Sequence, residues 1–407
     1  MTAASTSIAI AGAGIGGLTA SLALARRGFT NTIYERRSAH SEAGAGIQLG
    51  PNATGVLARL GILESVRAVS AEPDGISVHD ANSGRAITRL PLGAWMRARH
   101  GSPYLTLHRQ DLHQALTMAV AGEPGVSILT GRDVVGFGQN AGGIDVRFAN
   151  GDSVNAAALI AADGLWSVLR AAVTASAAPE PAGKCAYRAV VSREAMPETL
   201  ALNDVHIWLS PGAHIVHYPV RQGAETAIVV VIDGSASHEG WDSAASRDTL
   251  MASPVATFAA PVRRLILAAQ NWRMWPLQKL APLTTWTNGA VALLGDAAHP
   301  LLPFFAQGGG LAIEDAMVLA SSIADGAGPM AERLSAYEAA RRSRAQRVVD
   351  ASIANGRIYH LSGAARAARN TVLTATPAPL LMRRYDWLYG WVPVSYTHLT
   401  LPTSDLV

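Results

Sequence analysis

Near the start of the chain apolar positions run on rather than alternate. "SIAIA" at Ser7–Ala11 is a short apolar stretch, "IGGLTASLALARR" at Ile15–Arg27 is small and apolar at most positions, and "TIY" at Thr32–Tyr34 is apolar again. Length and flanking glycines predict a buried strand, a helix and a second strand, which together make a βαβ unit. A helix is expected from Asn52, a good N-cap, to about Leu60, and another over Asp111–Ala121 after the strand-like "YLTLH" at Tyr104–His108. The alanine-rich Ala156–Ala186 region, with two prolines, reads as a crossing between domains. From about Lys184 to Asp233 the text turns β-rich: "AYRAVV", "DVHIWLS", "PGAHIVHYPV" and "ETAIVVVID", separated by turn residues, predict one antiparallel sheet. After Gly289 "AVALLGD" returns to a buried strand, and from Gly310 helical periodicity dominates, with a long helix over about Ala331–Ile358.

Composition narrows the class. With 407 residues, 49% hydrophobic and 15% charged, the chain is globular and long enough for two domains. A net charge of +3, spread along the chain, argues against nucleic acid. Cys185 is the single cysteine, which excludes an internal disulfide, a redox pair and a cysteine-rich metal site, and fits a cytoplasmic setting. Ile8–Ala25 is almost apolar enough for a membrane span or signal peptide, but glycines interrupt it and no basic flank precedes it, so no membrane association is expected. "SYTHLTLPTSDLV" at Ser395–Val407 is unlike the text before it and reads as a non-native tail.

Three motifs carry the chemistry. In "GAGIGG", Gly12, Gly14 and Gly17 have GxGxxG spacing between a predicted strand and helix. The first glycine permits the tight turn, the second lets backbone approach a pyrophosphate, and the third lets helix and strand pack closely. The helix N-terminus then offers free N–H groups and roughly half a positive charge to phosphates. Glu35, ending the second strand, is placed for ribose hydroxyls. This motif reads ADP alone and leaves FAD and a nicotinamide dinucleotide both open. "LLGDAAHPLLPFFAQGGG" at Leu293–Gly310 separates them. Gly295 and Asp296 end a buried strand, where a carboxylate suits the ribityl hydroxyls of a long cofactor held at its ADP end by Gly12–Gly17. Pro300, Pro303 and Gly308–Gly310 then bring backbone N–H groups against a flavin ring. The plainer alternative is a strand and an N-capped helix with Asp296 as cap. In "LIAADGLWSVLR", Asp163 and Gly164 follow a buried strand and precede a helix with Arg170; alone this is a capped turn.

In this order the three motifs resemble the class A flavoprotein monooxygenases, the group containing para-hydroxybenzoate hydroxylase, and within it the salicylate, 3-hydroxybenzoate and 6-hydroxynicotinate hydroxylase branch. The resemblance covers about Ser7 to Val394 and extends to "YERR" at Tyr34–Arg37, "GAGIQLGPNA" at Gly44–Ala53, "LHRQDLHQAL" at Leu107–Leu116 and "DWLYGW" at Asp386–Trp391. It implies an α/β fold: a Rossmann-like FAD-binding domain from residues 1–75, 100–180 and 285–345, an inserted antiparallel β-sheet substrate domain from 76–99 and 181–284, and C-terminal helices over 346–394. It also implies non-covalent FAD, NADH or NADPH as transient reductant, dioxygen, and a flavin hydroperoxide that hydroxylates a small activated aromatic ring. No metal is implied, and a monomer or homodimer is expected. By the same resemblance Arg36, Gln48 and Arg109 join Gly12, Gly14, Gly17, Glu35, Gly295, Asp296, Pro303, Gly308 and Gly309 around the cofactor, with Asp163 near the pyrophosphate.

Such chemistry attacks an electron-rich ring, so a phenolate reacts far better than a phenol, and the site benefits from a base near neutrality in a dry pocket. His214, Val216 and Tyr218 share one face of a strand, so His214 and Tyr218 can line one pocket. They resemble the substrate-facing His-x-x-x-Tyr pair of that branch, His214 as the base and Tyr218 as hydrogen-bond partner; two sheet residues with satisfied polar tips are the alternative. His299 is expected to brace its loop, and His206 and His217 to be ordinary sheet residues. Gln48 and Phe304 are expected beside the substrate. Relatives often carry His or Gln where Phe304 stands, which implies a more hydrophobic or different ring substituent. Arg188 pairs either a substrate carboxylate or a protein carboxylate. Two competing functions share these motifs, a flavoprotein oxidase or dehydrogenase and a flavin-binding protein without turnover. A disulfide reductase is excluded by the single cysteine, and "WRMWPL" at Trp272–Leu277 does not match the halogenase motif Trp-x-Trp-x-Ile-Pro.

Overall fold

The computed structural model describes residues 7–38, 46–140, 142–174, 178–200, 203–234 and 242–393; Gly44, Ala45 and the tail from Val394 lie outside them. The continuous apolar runs form a six-stranded sheet in the order Thr287–Asn288, Val291–Leu293, Ala158–Ala161, Ile8–Ala11, Asn31–Glu35, Val126–Thr130. All neighbours pair in parallel except the first two strands. Ile8–Ala11, Ala158–Ala161 and Val291–Leu293 are buried at every residue, because helix Ile15–Ala25 packs on the sheet and so does a three-stranded antiparallel sheet of Val134–Asn140, Gly143–Phe148 and Ser153–Ala156, whose Ile144, Val146 and Phe148 join the same core. The chain leaves Ile8–Ala11 toward one side and later returns on the other. This leaves a crevice at the strands' carboxyl ends, where ligands of open α/β sheets bind. Helix Ile15–Ala25 fills the space between this sheet and helix Gly308–Asp325.

The β-rich text forms a second sheet of eight strands, ordered Ser243–Ala244, Arg273–Lys279, Glu180–Ser192, Glu225–Asp233, Ala213–Val220, Asp204–Ser210, Gly75–Asp80, Ala86–Pro91. The four expected strands are antiparallel to one another, while Asp204–Ser210 also pairs in parallel with Gly75–Asp80. The chain crosses between the sheets within the alanine-rich region, from strand Ala158–Ala161 to strand Glu180–Ser192. One face of this second sheet buries Ile215, Ile228 and Val230 against helix Ala260–Ala268, which supplies Val262, Leu265 and Ile266.

Asn52 is not the N-cap expected of it. Helix Pro51–Arg59 is capped by Gly50 with Pro51 in its first turn, where proline's fixed φ and missing N–H fit without loss. Asn52 is instead buried, and its amide donates to Gln307 Oε1 (3.0 Å) and Glu314 Oε1 (2.6 Å). Glu314 and Asp315 of helix Gly308–Asp325 have no exposed surface. The 30-residue helix Met330–Tyr359 brings Arg341 to 2.7 Å from each of them and Arg344 to 2.7 Å from Glu314. His299 Nε2 lies 2.5 Å from Asp315 Oδ2. Burial opposes charge on Asp315, but His299 and Arg341 hold its pKa down to about 2.

On the face away from His214, His206 stacks on its cross-strand partner His217 (centroids 4.5 Å apart), and its Nδ1 lies 3.2 Å from His79 Nε2. Burial lowers all three pKa values, His206 to about 4, and their mutual repulsion lowers those of His206 and His217 further. Among the described residues no helix is long and apolar enough to cross a membrane.

Two outcomes are expected. Arg341→Met leaves the carboxylates short of a buried cation and should destabilise the protein by about 3–5 kcal/mol in urea unfolding; a loss below about 1 kcal/mol would show that the network relaxes around the gap. The three histidines fold neutral but titrate near 6.5 when unfolded, so their contribution is complete above that pH and declines as pH falls toward the folded values. The urea midpoint should therefore drop between pH 6.5 and 4, and His206→Gln should flatten that slope.

Candidate active site

The glycines of the first motif do three different things. Gly12 has φ +103°, and a Cβ there would meet the Ala162 carbonyl oxygen at 2.5 Å. A Cβ on Gly17 would lie 2.0 Å from the Gly12 oxygen, so helix and turn touch through bare backbone. Gly14 faces open space, with nothing within 4 Å of a Cβ. The space before it is a cavity lined by Gly12, Gly14, Glu35, Arg36, Asp163 and Gly164, together with Tyr34, His113 and Arg132, of which Arg132 lies in no motif. The Glu35 carboxylate accepts the Ala13 N–H on Oε2 and the Arg37 N–H on Oε1, both at 2.9 Å, which keeps further lone pairs for a ligand. Asp163 Oδ1 is buried with no hydrogen-bond partner, and burial raises the carboxyl's pKa. An orphaned acceptor of this kind calls for a donor from outside the protein.

A second cavity shares Gly14, Ala162 and Gly164 with the first and runs between the two sheets. Its cofactor-side wall comprises Arg109, Gly295, Asp296, Pro303, Gly308 and Gly309. Gly295 has φ +62°, and helix Gly308–Asp325 begins facing this space. Asp296 caps nothing: its short 3₁₀ turn has no side-chain cap. The residue is exposed and lines the cavity, and its recessed position raises the carboxyl's pKa while Arg109 and His299 oppose the rise.

The opposite wall is the second sheet. Register aligns Arg188 with Val229 and Val216, and His214 with Val231, so alternate residues of three strands share one face and reach the cavity with Tyr218 and Gln48. Tyr104 donates to Gln48 Oε1 (2.6 Å). The Arg188 guanidinium lies over the Trp275 ring (5.0 Å), and its Nε has no hydrogen-bond partner. Burial pushes the Tyr218 hydroxyl up to about 12 against the pull of Arg188, and holds His214 well below its ordinary value, helped by His360 and Lys184.

Phe304 departs from expectation. It packs behind His214 (centroids 5.5 Å apart), in a cluster with Ala186, Val231 and Leu277, and its ring lies so close to Gly356 that a Cβ there would meet it at 2.7 Å. The cavity wall at this turn is made by Leu301, Leu302, Pro303 and Ala306. The 3₁₀ turn Pro303–Phe305 directs Phe304 into the core.

Residues 5–352 match the model of the FAD binding domain family. The chain belongs to that family. It is 36% identical over 384 residues to a 3-hydroxybenzoate 6-hydroxylase of Polaromonas naphthalenivorans, covering 94% of this chain and 96% of the relative. It is 33% identical to a 6-hydroxynicotinate 3-monooxygenase of Bordetella bronchiseptica, covering 84% and 89%. Among solved structures, a salicylate hydroxylase substrate complex superposes with a TM-score of 0.81 at 26% identity over 96% of both chains. Klebsiella pneumoniae HpxO complexed with FAD and uric acid superposes with a TM-score of 0.83 at 27% identity, over 93% and 95%. The chain is an FAD-dependent monooxygenase. The two connected cavities fit FAD as this family uses it: an orphaned acid and an open glycine at one end, Asp296 and a helix N-terminus at the other.

The glycines separate folding from FAD binding. Gly14→Ala has room in the protein, so its melting temperature without FAD should match the parent, while FAD affinity, read by flavin fluorescence, should fall about tenfold or more because the methyl stands where phosphate approaches. Gly17→Ala should instead fail to fold stably. Unchanged FAD affinity in Gly14→Ala would remove the pyrophosphate from this position.

Proposed function

We propose that the protein hydroxylates a phenolic ring, a hydroxybenzoate or its N-heteroaromatic counterpart, with dioxygen and NADH or NADPH. The observation that carries this reading is the joint placement of His214, Tyr218 and Arg188 on one face of the second sheet, across the cavity from the loop bearing Asp296. Bound FAD supplies reduction by the nicotinamide and delivery of one oxygen atom to the ring. The side chains supply the rest. Arg188, a half-buried cation whose buried Nε has no hydrogen-bond partner, pairs the substrate carboxylate and orients the ring. His214 is neutral at pH 7 because burial disfavours its cation, so it offers a lone pair to the phenol proton. Tyr218 keeps its proton and donates a hydrogen bond to the phenolate oxygen. Leu301, Leu302, Val216 and Val229 keep the space apolar and exclude water. Relatives named for hydroxybenzoate, aminohydroxybenzoate and hydroxynicotinate support the ring class.

The test is oxidation of NADH and NADPH by FAD-loaded protein with 3-hydroxybenzoate, salicylate, 6-hydroxynicotinate and neutral phenols, measuring hydroxylated product and hydrogen peroxide together. Product in excess of peroxide with a carboxylated phenol is expected. Peroxide alone across the panel would favour an oxidase. His214→Ala should retain FAD and lose product formation about a hundredfold or more, the scale of a general base; unchanged turnover would remove His214 from the mechanism.

A further inference from the structure

Past His214 a line of polar contacts leads out of the cavity. His214 Nδ1 lies 2.8 Å from His360 Nε2, and His360 Nδ1 lies 2.8 Å from Asp233 Oδ1. The two imidazoles are enclosed, at 2% exposure for His214 and 6% for the His360 side chain, whereas the Asp233 side chain is 43% exposed. Three elements supply them: strand Ala213–Val220, the end of its neighbour Glu225–Asp233, and the residue that ends helix Met330–Tyr359. Two other charged groups face the line. Lys184 pairs with Asp233 and lies 3.4 Å from His360 Nδ1, and Arg369 donates to the carbonyls of Ile358 and Tyr359 beside His360. The rings of Phe304 and Tyr359 close the sides of His214.

These contacts set the tautomers. A carboxylate only accepts, so the 2.8 Å contact places a proton on His360 Nδ1, and the ammonium at 3.4 Å is too far to reverse that. His360 Nε2 is then a bare acceptor, and the only proton His214 has for it sits on Nδ1. This leaves His214 Nε2 as a lone pair.

We propose that His360 and Asp233 form a relay that holds His214 in this tautomer and carries the substrate's phenolic proton from the cavity to solvent. The inference rests on the function proposed above. In the step, the phenol O–H breaks heterolytically and its proton joins His214 Nε2. The His214 Nδ1 proton then passes to His360 Nε2, the His360 Nδ1 proton passes to Asp233, and Asp233 releases it to water. No electrons leave any residue, and return of a proton along the same line to the product oxygen restores the starting tautomers. Burial keeps both imidazoles below the ordinary histidine value, so neither holds the passing proton at pH 7. His360 does not touch substrate and acts as a positioning residue.

The test uses the full chain and two variants, Asp233→Asn and His360→Phe, which keeps bulk. Long-range ¹⁵N NMR without added phenol should show neutral His214 protonated on Nδ1, and loss of that preference in His360→Phe. With the phenol hydroxylated most efficiently by the parent protein, kcat should fall about tenfold to a hundredfold in both variants, with FAD content and KM within about twofold and a larger solvent deuterium isotope effect. A His214 protonated on Nε2 in the parent, or variants with unchanged kcat and isotope effect, would overturn the relay. Should His360→Phe fail to fold, Asp233→Asn, altered at an exposed position, decides the kinetic arm. If the parent hydroxylates no phenol, the proposed function fails instead, while the NMR result still judges the tautomer.

Discussion

Glu314 and Asp315 can be buried side by side because Arg341, Arg344 and His299 converge on them, with the amide of Asn52 and the backbone N–H of Gly295. The partners come from three separate segments, and an unpaired charge at this depth would cost several kcal/mol, so the segments are held in one arrangement. Asn52 fixes the start of helix Pro51–Arg59 next to Gln48; His299 and Gly295 fix the loop that carries Asp296; the two arginines seat the long C-terminal helix. The cofactor-side wall of the flavin cavity and the segment next to Gln48 are therefore referenced to one helix, Gly308–Asp325, whose N-terminus faces that cavity. Precise placement of a ring that must react within a narrow geometry follows from this anchoring.

The second sheet answers a different need. Strand alternation separates a cavity face, bearing Arg188, His214 and Tyr218, from a core face, bearing Ile215, Val230 and the stacked His206 and His217. Five histidines therefore lie close together in this region with two kinds of surroundings: His79, His206 and His217 stack and repel one another beside Asp204, which makes no hydrogen bond to any of them, while His214 and His360 lead by hydrogen-bond contacts to the acid Asp233.

Much of this was legible in the chain. The βαβ unit, the three-glycine turn, Glu35, the buried strand before Asp296, which ends at Leu293 with Gly295–Ala297 forming a 3₁₀ turn, and the face shared by His214 and Tyr218 all follow from local spacing, because each depends on periodicity or on a backbone conformation that glycine permits. The misread positions depended on distant partners. Asn52 has a good cap residue's chemistry, yet Pro51 already served the helix start and Glu314 needed a donor. Phe304 sits in a loop motif, but a 3₁₀ turn directs it away from the cavity. Arg132, Asp233 and His360 belong to no motif, and only the fold brings them to the sites. The parallel pairing of Gly75–Asp80 likewise joins segments far apart in the chain.

The glycine at position 356 has a consequence for how such a pocket changes over time. A glycine inside a long helix costs about 1 kcal/mol relative to alanine, and here it yields its space to the Phe304 ring, which in turn supports the imidazole of His214. Volume on that side of the imidazole is thus shared between two positions 52 residues apart in sequence. Enlarging residue 356 requires shrinking residue 304, whereas a smaller side chain at 304 alone leaves a void behind His214, so the two positions are coupled through the volume they share.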